Sequence, residues 1–566
     1  MPATVAERRE ALKQRFPRWS ALTLDQALDR AAAEFGPRDY IVTDARTYSY
    51  RDIKLWSERI AGGLLEAGVR RGDHVAIVLA NFPEFVAVKY AIARVGATCV
   101  PINFLNRRDE LAYVLRQSDA ALLITMDRFR NLDYLKALDE LAPDWERHGG
   151  GETFPRLKQV VVFPASGEPV RAGAMSFAEL ETPKQNFAGL ADADPHSVCD
   201  IIYTSGTTGS PKGVMLTHDM LLRAAFGSVY ARAFDDAWRI VFSLPMYHVY
   251  GYVEGVLTVP FVGGAIAPQL SFDPAATLVA IETHRADDVL LAPTMTLGPL
   301  DELRARPYAL PTLRAVISSG QRSPAGIWRD IFDLMHPAEL TTGYGMTEVT
   351  ATTTLTQPDD TFERLRSTNG RMRDVGPAGD PALGGKLVDY KVIDPETGRT
   401  LAPGDVGELM AKGPGVTRGY YNKPEATAEA FDADGWLHTG DLGKFDADGY
   451  LTLVGRRKES YRCGGEQVMP TEVEDVLTSH PAMLQAHVVP APDQRMGEVG
   501  AAFVVLRSQP EVTPQELIQF CAERLARFKT PKYMLPIRAE DLPTTPSGRA
   551  RKFLLTQRAI ELLGLS

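Results

Sequence analysis

Cysteine is scarce in this 566-residue sequence: only Cys99, Cys199, Cys463 and Cys521 occur, far apart and with no CxxC pair. That spacing argues against a disulfide framework and a cysteine-built zinc site, and it predicts a reducing compartment, the cytoplasm. No run of about 18 uncharged apolar residues is present, so no helix is expected to span a membrane. The first ten residues, MPATVAERRE, contain no apolar signal core. Positive charge is in deficit, with 62 Lys and Arg against 72 Asp and Glu and a net charge of −10. An acidic surface repels a phosphate backbone, which argues against nucleic acid as a partner. Internal repeats and low-complexity tracts are also missing. What remains is 45% hydrophobic and 24% charged, the make-up of an ordinary globular enzyme. One hydrophobic core stops growing at roughly 250–300 residues, so a chain of this length is expected to divide.

The hydrophobic pattern alternates. Residues 53–67 read as an amphipathic helix, 74–79 as a short apolar strand, 83–96 as a helix and 98–102 as a strand. This is the pattern of βαβ units and parallel sheets. Residues 127–158 read as irregular, with a surface loop at Gly149-Gly150-Gly151, and strands resume at 160–163, 201–203, 240–244, 288–292 and 315–318. Between about 372 and 454, short β-like runs such as 391–393 and 408–412 predict a distorted, barrel-like part. The last hundred or so residues read as a compact α+β unit, with helices at 471–479 and 514–527 and strands at 485–490 and 501–506. The expected fold is therefore α/β: a large N-terminal domain of parallel or mixed sheets with flanking helices and a β-barrel-like part, then a small α+β domain.

Residues 203–214 read YTSGTTGSPKGV. Glycines let backbone N–H groups approach anionic oxygens, hydroxyls add donors and Lys212 adds a positive charge, which is chemistry for a polyphosphate. The order of residues is not that of a Walker A loop, because Lys212 precedes its glycine and Pro211 interrupts. Further on, 343–348 read GYGMTE, offering an aromatic ring for a purine, a hydroxyl toward a phosphate and a carboxylate for Mg²⁺. In 435–441, GWLHTGD, the carboxylate of Asp441 suits a ribose diol.

These strings, in this order, resemble the adenylate-forming superfamily, and its acyl-CoA ligase branch in particular. The resemblance implies a nucleotide site made of Thr204, Ser205, Gly206, Thr207, Thr208, Gly209, Lys212, Gly320, Gln321, Gly343, Tyr344, Gly345, Thr347, Asp441 and Arg456, with Thr207 and Glu348 toward Mg²⁺. Segment 244–248, LPMYH, resembles the wall of the acyl pocket; Tyr247, His248 and Gly345 would line it, with His248 packing rather than carrying protons. Gly251 and Gly255 among the nearby tyrosines would make room for a bulky ring, although a fatty or aryl acid fits equally well. Segment 455–459, GRRKE, resembles the domain boundary, which implies domains at 1–457 and 458–566 with Lys458 as the hinge of a mobile C-terminal domain. The following Gly464-Gly465 resembles the lining of a pantetheine tunnel, and Arg462, Gly464, Gly465, Phe528 and Lys529 would contact CoA. Two basic groups, Arg456, Arg457, Lys458 and Arg462, then Arg527, Lys529 and Lys532, stand out from the acidic background.

One residue departs from the pattern. Segment 542–553 reads LPTTPSGRARKF, and Arg549 stands where the family has the lysine that contacts the substrate carboxylate and the ATP α-phosphate during adenylation. A planar fork does not replace a point charge by default, so the sequence reading expects a weak first half-reaction with acyl-AMP supplied by a separate adenylating enzyme, and a retained second half. Lys552, three residues on, need not reach the same point. The expected ligands are thus a carboxylic acid or acyl-adenylate, ATP, Mg²⁺ and CoA. A fully active two-step ligase, an enzyme loading a carrier protein, a non-catalytic adenylate-binding module and a luciferase-type oxygenase are the competing readings.

Overall fold

The computed structural model describes residues 3–204, 210–319, 325–507, 511–545 and 549–565. Two seven-stranded sheets form the body of the large domain. In the first, the strands run in the order Glu339–Thr341, Ala315–Ser318, Asp288–Leu291, Arg239–Phe242, Ala265–Pro268, Asp39–Val42 and Thr47–Ser49, all parallel except the last. The second is also mainly parallel and ends in an antiparallel pair, Val198–Thr204 with Lys212–Thr217. The central strands are short Val/Ile/Leu-rich runs buried along nearly their whole length, because helices cover both faces of a parallel sheet. Helix Tyr50–Glu66 starts at Ser49, whose hydroxyl accepts from the Asp52 amide while the Asp52 carboxylate accepts from the Ser49 amide. Helix Pro83–Arg94 opens on proline, which lacks only a donor that the first turn would leave unused.

The β-rich region is an antiparallel sheet of Asp389–Ile393, Gly407–Lys412, Leu437–Phe445 and Leu451–Arg456. A turn at 457–459 leads into the small domain, where Gly497–Leu506 pairs with Met483–Asp493, Tyr461–Cys463 and Tyr533–Pro536. The hydrophobic core forms two separate clusters, one running from Leu12 to Leu451 and the other from Tyr461 to Ala559.

Three local expectations are corrected. Residues 127–158 are more regular than their pattern, with a helix at Tyr134–Leu141 and the Trp145 ring buried in the core. Gly149 and Gly150 are buried rather than on a surface loop: a Cβ on Gly150 would lie 2.2 Å from the Phe154 carbonyl oxygen. The helix expected over 514–527 ends at Ala522, where the chain turns so that Leu525 and Phe528 pack against the small core. A terminal helix, Lys552–Leu563, went unread; it buries Leu555 and Ala559, one turn apart. All four cysteines are free and buried, and among the described residues no helix is long and apolar enough to cross a membrane.

Candidate active site

Two of the segments singled out above, 244–248 and 343–348, leave the same edge of the first sheet, together with Pro293, Thr294 and Ser319. Parallel strands share a carboxyl edge, and in open α/β sheets ligands bind there. Arg239–Phe242 leads to Leu244–His248, Asp288–Leu291 to Pro293 and Thr294, Ala315–Ser318 to Ser319, and Glu339–Thr341 to Gly343–Glu348. The segments are tied to one another: the Ser319 hydroxyl donates to the Gly343 carbonyl (2.8 Å) and the Tyr250 hydroxyl to the Leu291 carbonyl (3.1 Å). Ser205, Gly206, Thr207, Thr208, Gly209, Gly320 and Gln321 lie outside the described residues. Thr204 and Lys212 flank the first of these gaps as partners across a strand pair.

Tyr344 and Asp441 meet although they come from different sheets. The Tyr344 hydroxyl donates to Asp441 Oδ2 at 2.7 Å, and Arg456 Nε lies 2.9 Å from Asp441 Oδ1 as an ion pair. Asp441 and Arg456 face each other on adjacent antiparallel strands, so the β-rich sheet sets their separation. Burial, and then Asp441, push the Tyr344 phenol well above its usual range, so it remains a donor.

Gly345 explains why this loop needs glycine. A Cβ there would fall 1.7 Å from the Ala351 carbonyl oxygen of the neighbouring strand. The chain then makes a single turn at Thr347–Val349 and passes through two residues in the left-handed region, Thr350 at φ 58° and Ala351 at φ 72°. Such strain persists only where surrounding contacts impose it, and here the Thr350 hydroxyl is held by the Gly415 carbonyl at 2.7 Å. Gly345→Ala is expected to separate the two strands, destabilise the protein by about 1–3 kcal/mol or more and abolish nucleotide binding. Thermal denaturation together with ATP titration checks this; an unshifted melting curve with normal ATP affinity contradicts it.

The turn buries Glu348. Its Oε1 accepts from the Tyr420 hydroxyl (3.1 Å), and Lys212 Nζ sits 4.6 Å from the centre of the Tyr420 ring. Glu348 and Lys212, 136 residues apart in the sequence, thus share one tyrosine. Burial raises the Glu348 carboxyl above its usual range, and a bound cation would oppose that shift. Among the described residues no cluster of three or more metal-binding side chains exists. A single carboxylate sharing Tyr420 with Lys212 nevertheless fits Mg²⁺, which is commonly held by one or two carboxylates and substrate phosphates.

On the acyl side, Tyr247 is buried with its ring edge-on to Phe104 at 5.5 Å, and its hydroxyl has no partner. His248 Nδ1 accepts from the Tyr250 amide at 3.2 Å, and burial lowers its pKa to about 4, so the ring stays neutral. Gly251 and Gly255 do not open space for a substrate ring. A Cβ on Gly251 would lie 2.6 Å from the Pro245 carbonyl oxygen, and one on Gly255 2.8 Å from the Phe242 ring, so both serve close packing.

Between the domains lies a cleft of about 220 Å³. Tyr344, Gly345, Asp441 and Arg456 line it from the large domain, and Arg549, Lys552 and His487 from the small one. Arg549 Nη2 donates to Glu459 Oε1 at 3.1 Å. Lys552 Nζ lies 3.5 Å from Glu459 Oε2 and 2.7 Å from Glu474. Lys552 and Arg549 thus approach the same carboxylate, Glu459. Sequence reading missed Glu459, Glu474, Tyr420 and His487. The only signal for Glu459 was an acid ending a basic run.

The remaining sequence candidates lie apart from this cleft. Gly464 (φ 61°) and Gly465 (φ 91°) form a two-residue hairpin turn between Tyr461–Cys463 and Glu466–Val468, a geometry that demands positive φ at both positions. Both are exposed, and a Cβ on Gly465 would meet nothing within 4 Å. The basic residues are largely engaged by acids: Arg457 with Glu408 (3.1 Å), Arg462 with Glu396 (3.6 Å), Lys529 with Glu472 (2.5 Å) and Lys532 with Asp493 (2.6 Å). Phe528 is half-buried against the small core with Lys529 Nζ 5.8 Å from its ring. Lys458 is exposed in the turn between the domains.

A two-domain α/β protein that gathers a tyrosine, a ribose-type carboxylate and several cations around one cleft has the build of an enzyme that activates acids with a nucleotide. The chain belongs to the AMP-binding enzyme family: the family's main model matches residues 28–421 and its C-terminal domain model residues 472–549. Within it, the chain falls among the AMP-forming acid–thiol ligases. It is 34% identical over 559 residues to YngI of Bacillus subtilis, covering 96% of this chain and 98% of that protein. It is 31% identical over 557 residues to the mitochondrial medium-chain acyl-CoA ligase ACSF2 of Danio rerio, covering 96% and 89%. Among solved structures it resembles the o-succinylbenzoate coenzyme A synthetase of Bacillus subtilis in complex with ATP and a magnesium ion, with a TM-score of 0.76, 26% identity and coverage of 94% of this chain and 98% of that one.

Proposed function

We propose that this chain is a complete two-step acid:CoA ligase that makes its own acyl-adenylate. A carboxylate attacks the α-phosphorus of ATP, forming acyl-AMP and releasing pyrophosphate. The CoA thiol then attacks the acyl carbonyl, the thiol proton leaves, and AMP departs. Tyr344 would pack against the adenine, Asp441 and Arg456 would hold the ribose, and Lys212 would meet the β- and γ-phosphates. Glu348 would hold Mg²⁺, with Thr347 and Thr207 beside it; the ion, when bound, neutralises charge on the phosphates. Tyr247, His248 and Gly345 would border the acyl group, and Arg462, Gly464, Gly465, Phe528 and Lys529 would serve CoA after the small domain, 458–566, turns at Lys458.

The observation that carries this reading is Arg549 in the cleft. Burial and the neighbouring Arg456 lower its pKa, while Glu459, Asp441 and Tyr344 oppose them, so the guanidinium shares surroundings with the proposed ribose site. An arginine that could not take the adenylation position would have no reason to sit there. This favours adenylation by the chain itself over acyl-AMP supplied by another enzyme. Free CoA is the proposed acceptor, in keeping with the acyl-CoA ligases among the relatives. The four free, buried cysteines support the cytoplasm as its compartment.

The test is to incubate the protein with ATP, Mg²⁺, CoA and, separately, octanoate, benzoate or acetate, and to measure pyrophosphate and acyl-CoA. Equal amounts of both from at least one acid support the reading; thioester only with a carrier protein, or none at all, contradicts it. Asp441→Ala is expected to weaken ATP and acyl-AMP alike, by roughly 1.5–3 kcal/mol, because both carry the same ribose. Calorimetry with each ligand decides it: unchanged affinity for either removes Asp441 from the site.

A further inference from the structure

We infer that Glu459 is the positioning residue for Arg549, holding one edge of the guanidinium so that the other edge faces the reacting groups. The inference rests on the two-step reading above and gives a role to the acid that ends the GRRKE segment.

Glu459 follows Lys458 directly, in the turn that leaves strand Leu451–Arg456. Its backbone amide donates to the Arg456 carbonyl at 3.0 Å, so the turn fixes the root of the side chain. The carboxylate is largely buried, and each of its oxygens faces a cation: Oε1 accepts from Arg549 Nη2 at 3.1 Å, and Oε2 is 3.5 Å from Lys552 Nζ. Burial works against its charge, but Lys552, Arg549 and Arg456 together hold its pKa below the usual value, so it is ionised at neutral pH.

Three cations crowd this side of the cleft. Arg456 is paired with Asp441, and Lys552 with Glu474, which is itself fixed by the Val488 amide at 2.7 Å. Among the described residues, Glu459 is the one carboxylate within ion-pair distance of Arg549. Without it, Arg549 would face Arg456 with no carboxylate within ion-pair distance, and a long side chain would turn out of the cleft.

The need for such a holder follows from the residue type. Lysine brings a compact ammonium that can bond in any direction, whereas a guanidinium must present the correct edge of a plane. Glu459 engages Nη2, and Arg549 lines the cleft, so Nη1 and Nε are assigned to the reacting groups. Both residues lie on the C-terminal side of Lys458, so a rotation there would carry the pair as one unit. The second half-reaction, carried out with Arg549 turned away, should therefore be indifferent to Glu459.

Glu459→Gln keeps the shape and removes the charge. Pyrophosphate–ATP exchange is measured with octanoate, benzoate and acetate, and thioester formation with octanoyl-AMP, benzoyl-AMP and CoA. In the variant kcat for exchange is expected to fall about 10- to 100-fold, with KM for ATP changed no more than about threefold and thioester formation from preformed adenylate within about threefold of wild type. In an Arg549→Met background the same substitution should add less than about a twofold effect, since a residue acting through Arg549 has nothing left to position. Glu459→Asp, which keeps the charge, should retain more exchange than Glu459→Gln and guards against a folding defect.

Normal exchange in Glu459→Gln overturns the inference, as does an undiminished effect in the Arg549→Met background or an equal loss in both half-reactions. These leave the two-step reading standing. That reading fails separately, and takes the inference with it, if wild-type protein gives no exchange with any of the three acids while still making thioester from preformed adenylate.

Discussion

Arg549→Met is expected to lower acyl-AMP formation by on the order of 10²–10³-fold, the usual cost of removing a preorganised group that stabilises transition-state charge. Thioester formation from preformed acyl-AMP should change no more than about threefold. The asymmetry follows from the cleft, where Arg549 is grouped with Arg456, Asp441 and Tyr344 and would face the α-phosphate of a bound ATP. Arg549→Lys should behave differently. A lysine restores the compact charge but forfeits the hydrogen bond to Glu459, so adenylation should stay within about tenfold of wild type, in either direction. Separate assays of the two half-reactions check both variants. Equal losses in both halves for Arg549→Met would mean that the residue supports the fold rather than the chemistry.

Lys458→Pro should have an effect of similar size on the opposite half. The turn at 457–459 is short, with the Glu459 and Ser460 amides both directed at the Arg456 carbonyl. Proline fixes its own φ near −65° and restricts the residue before it, so rotation at this point would be blocked. In the orientation seen here Arg549 lines the cleft, whereas the Gly464-Gly465 hairpin does not. A protein held in this orientation should still form acyl-AMP but should make thioester at least about 100-fold more slowly. Stopped-flow measurement of each step distinguishes the outcomes; full thioester turnover in Lys458→Pro would move the hinge to another residue.

Much of this architecture was legible in the residues because it is local. Buried parallel strands appear as short apolar runs, so 74–79, 98–102 and 315–318 were read within one or two residues of their ends. The motif segments were legible because each is a contiguous string, whether it forms a strand, as Gly343–Met346 does, or a turn, as 457–459 does. The residues missed at the site share one physical cause, namely contacts between residues distant in sequence. The Tyr420 hydroxyl reaches Glu348 across 72 residues, and Arg549 reaches Glu459 across 90. The buried pair of Lys89 with Asp200, on strand Val198–Thr204, spans 111. Glycines misled for a related reason. Gly251 and Gly255 have the composition of an open pocket, and only the packing against Pro245 and Phe242 shows that the space is already filled.

The central claim is that one chain carries out both half-reactions, with Arg549 serving the first. It is tested most directly by comparing two reactions of the unmodified protein, one given octanoate, ATP, Mg²⁺ and CoA, the other given preformed octanoyl-AMP and CoA, with benzoate and acetate in parallel. The account predicts octanoyl-CoA, benzoyl-CoA or acetyl-CoA from at least one free acid, with one pyrophosphate released per thioester and no second protein present. Thioester from the preformed adenylates alone, without pyrophosphate release from any free acid, would contradict it.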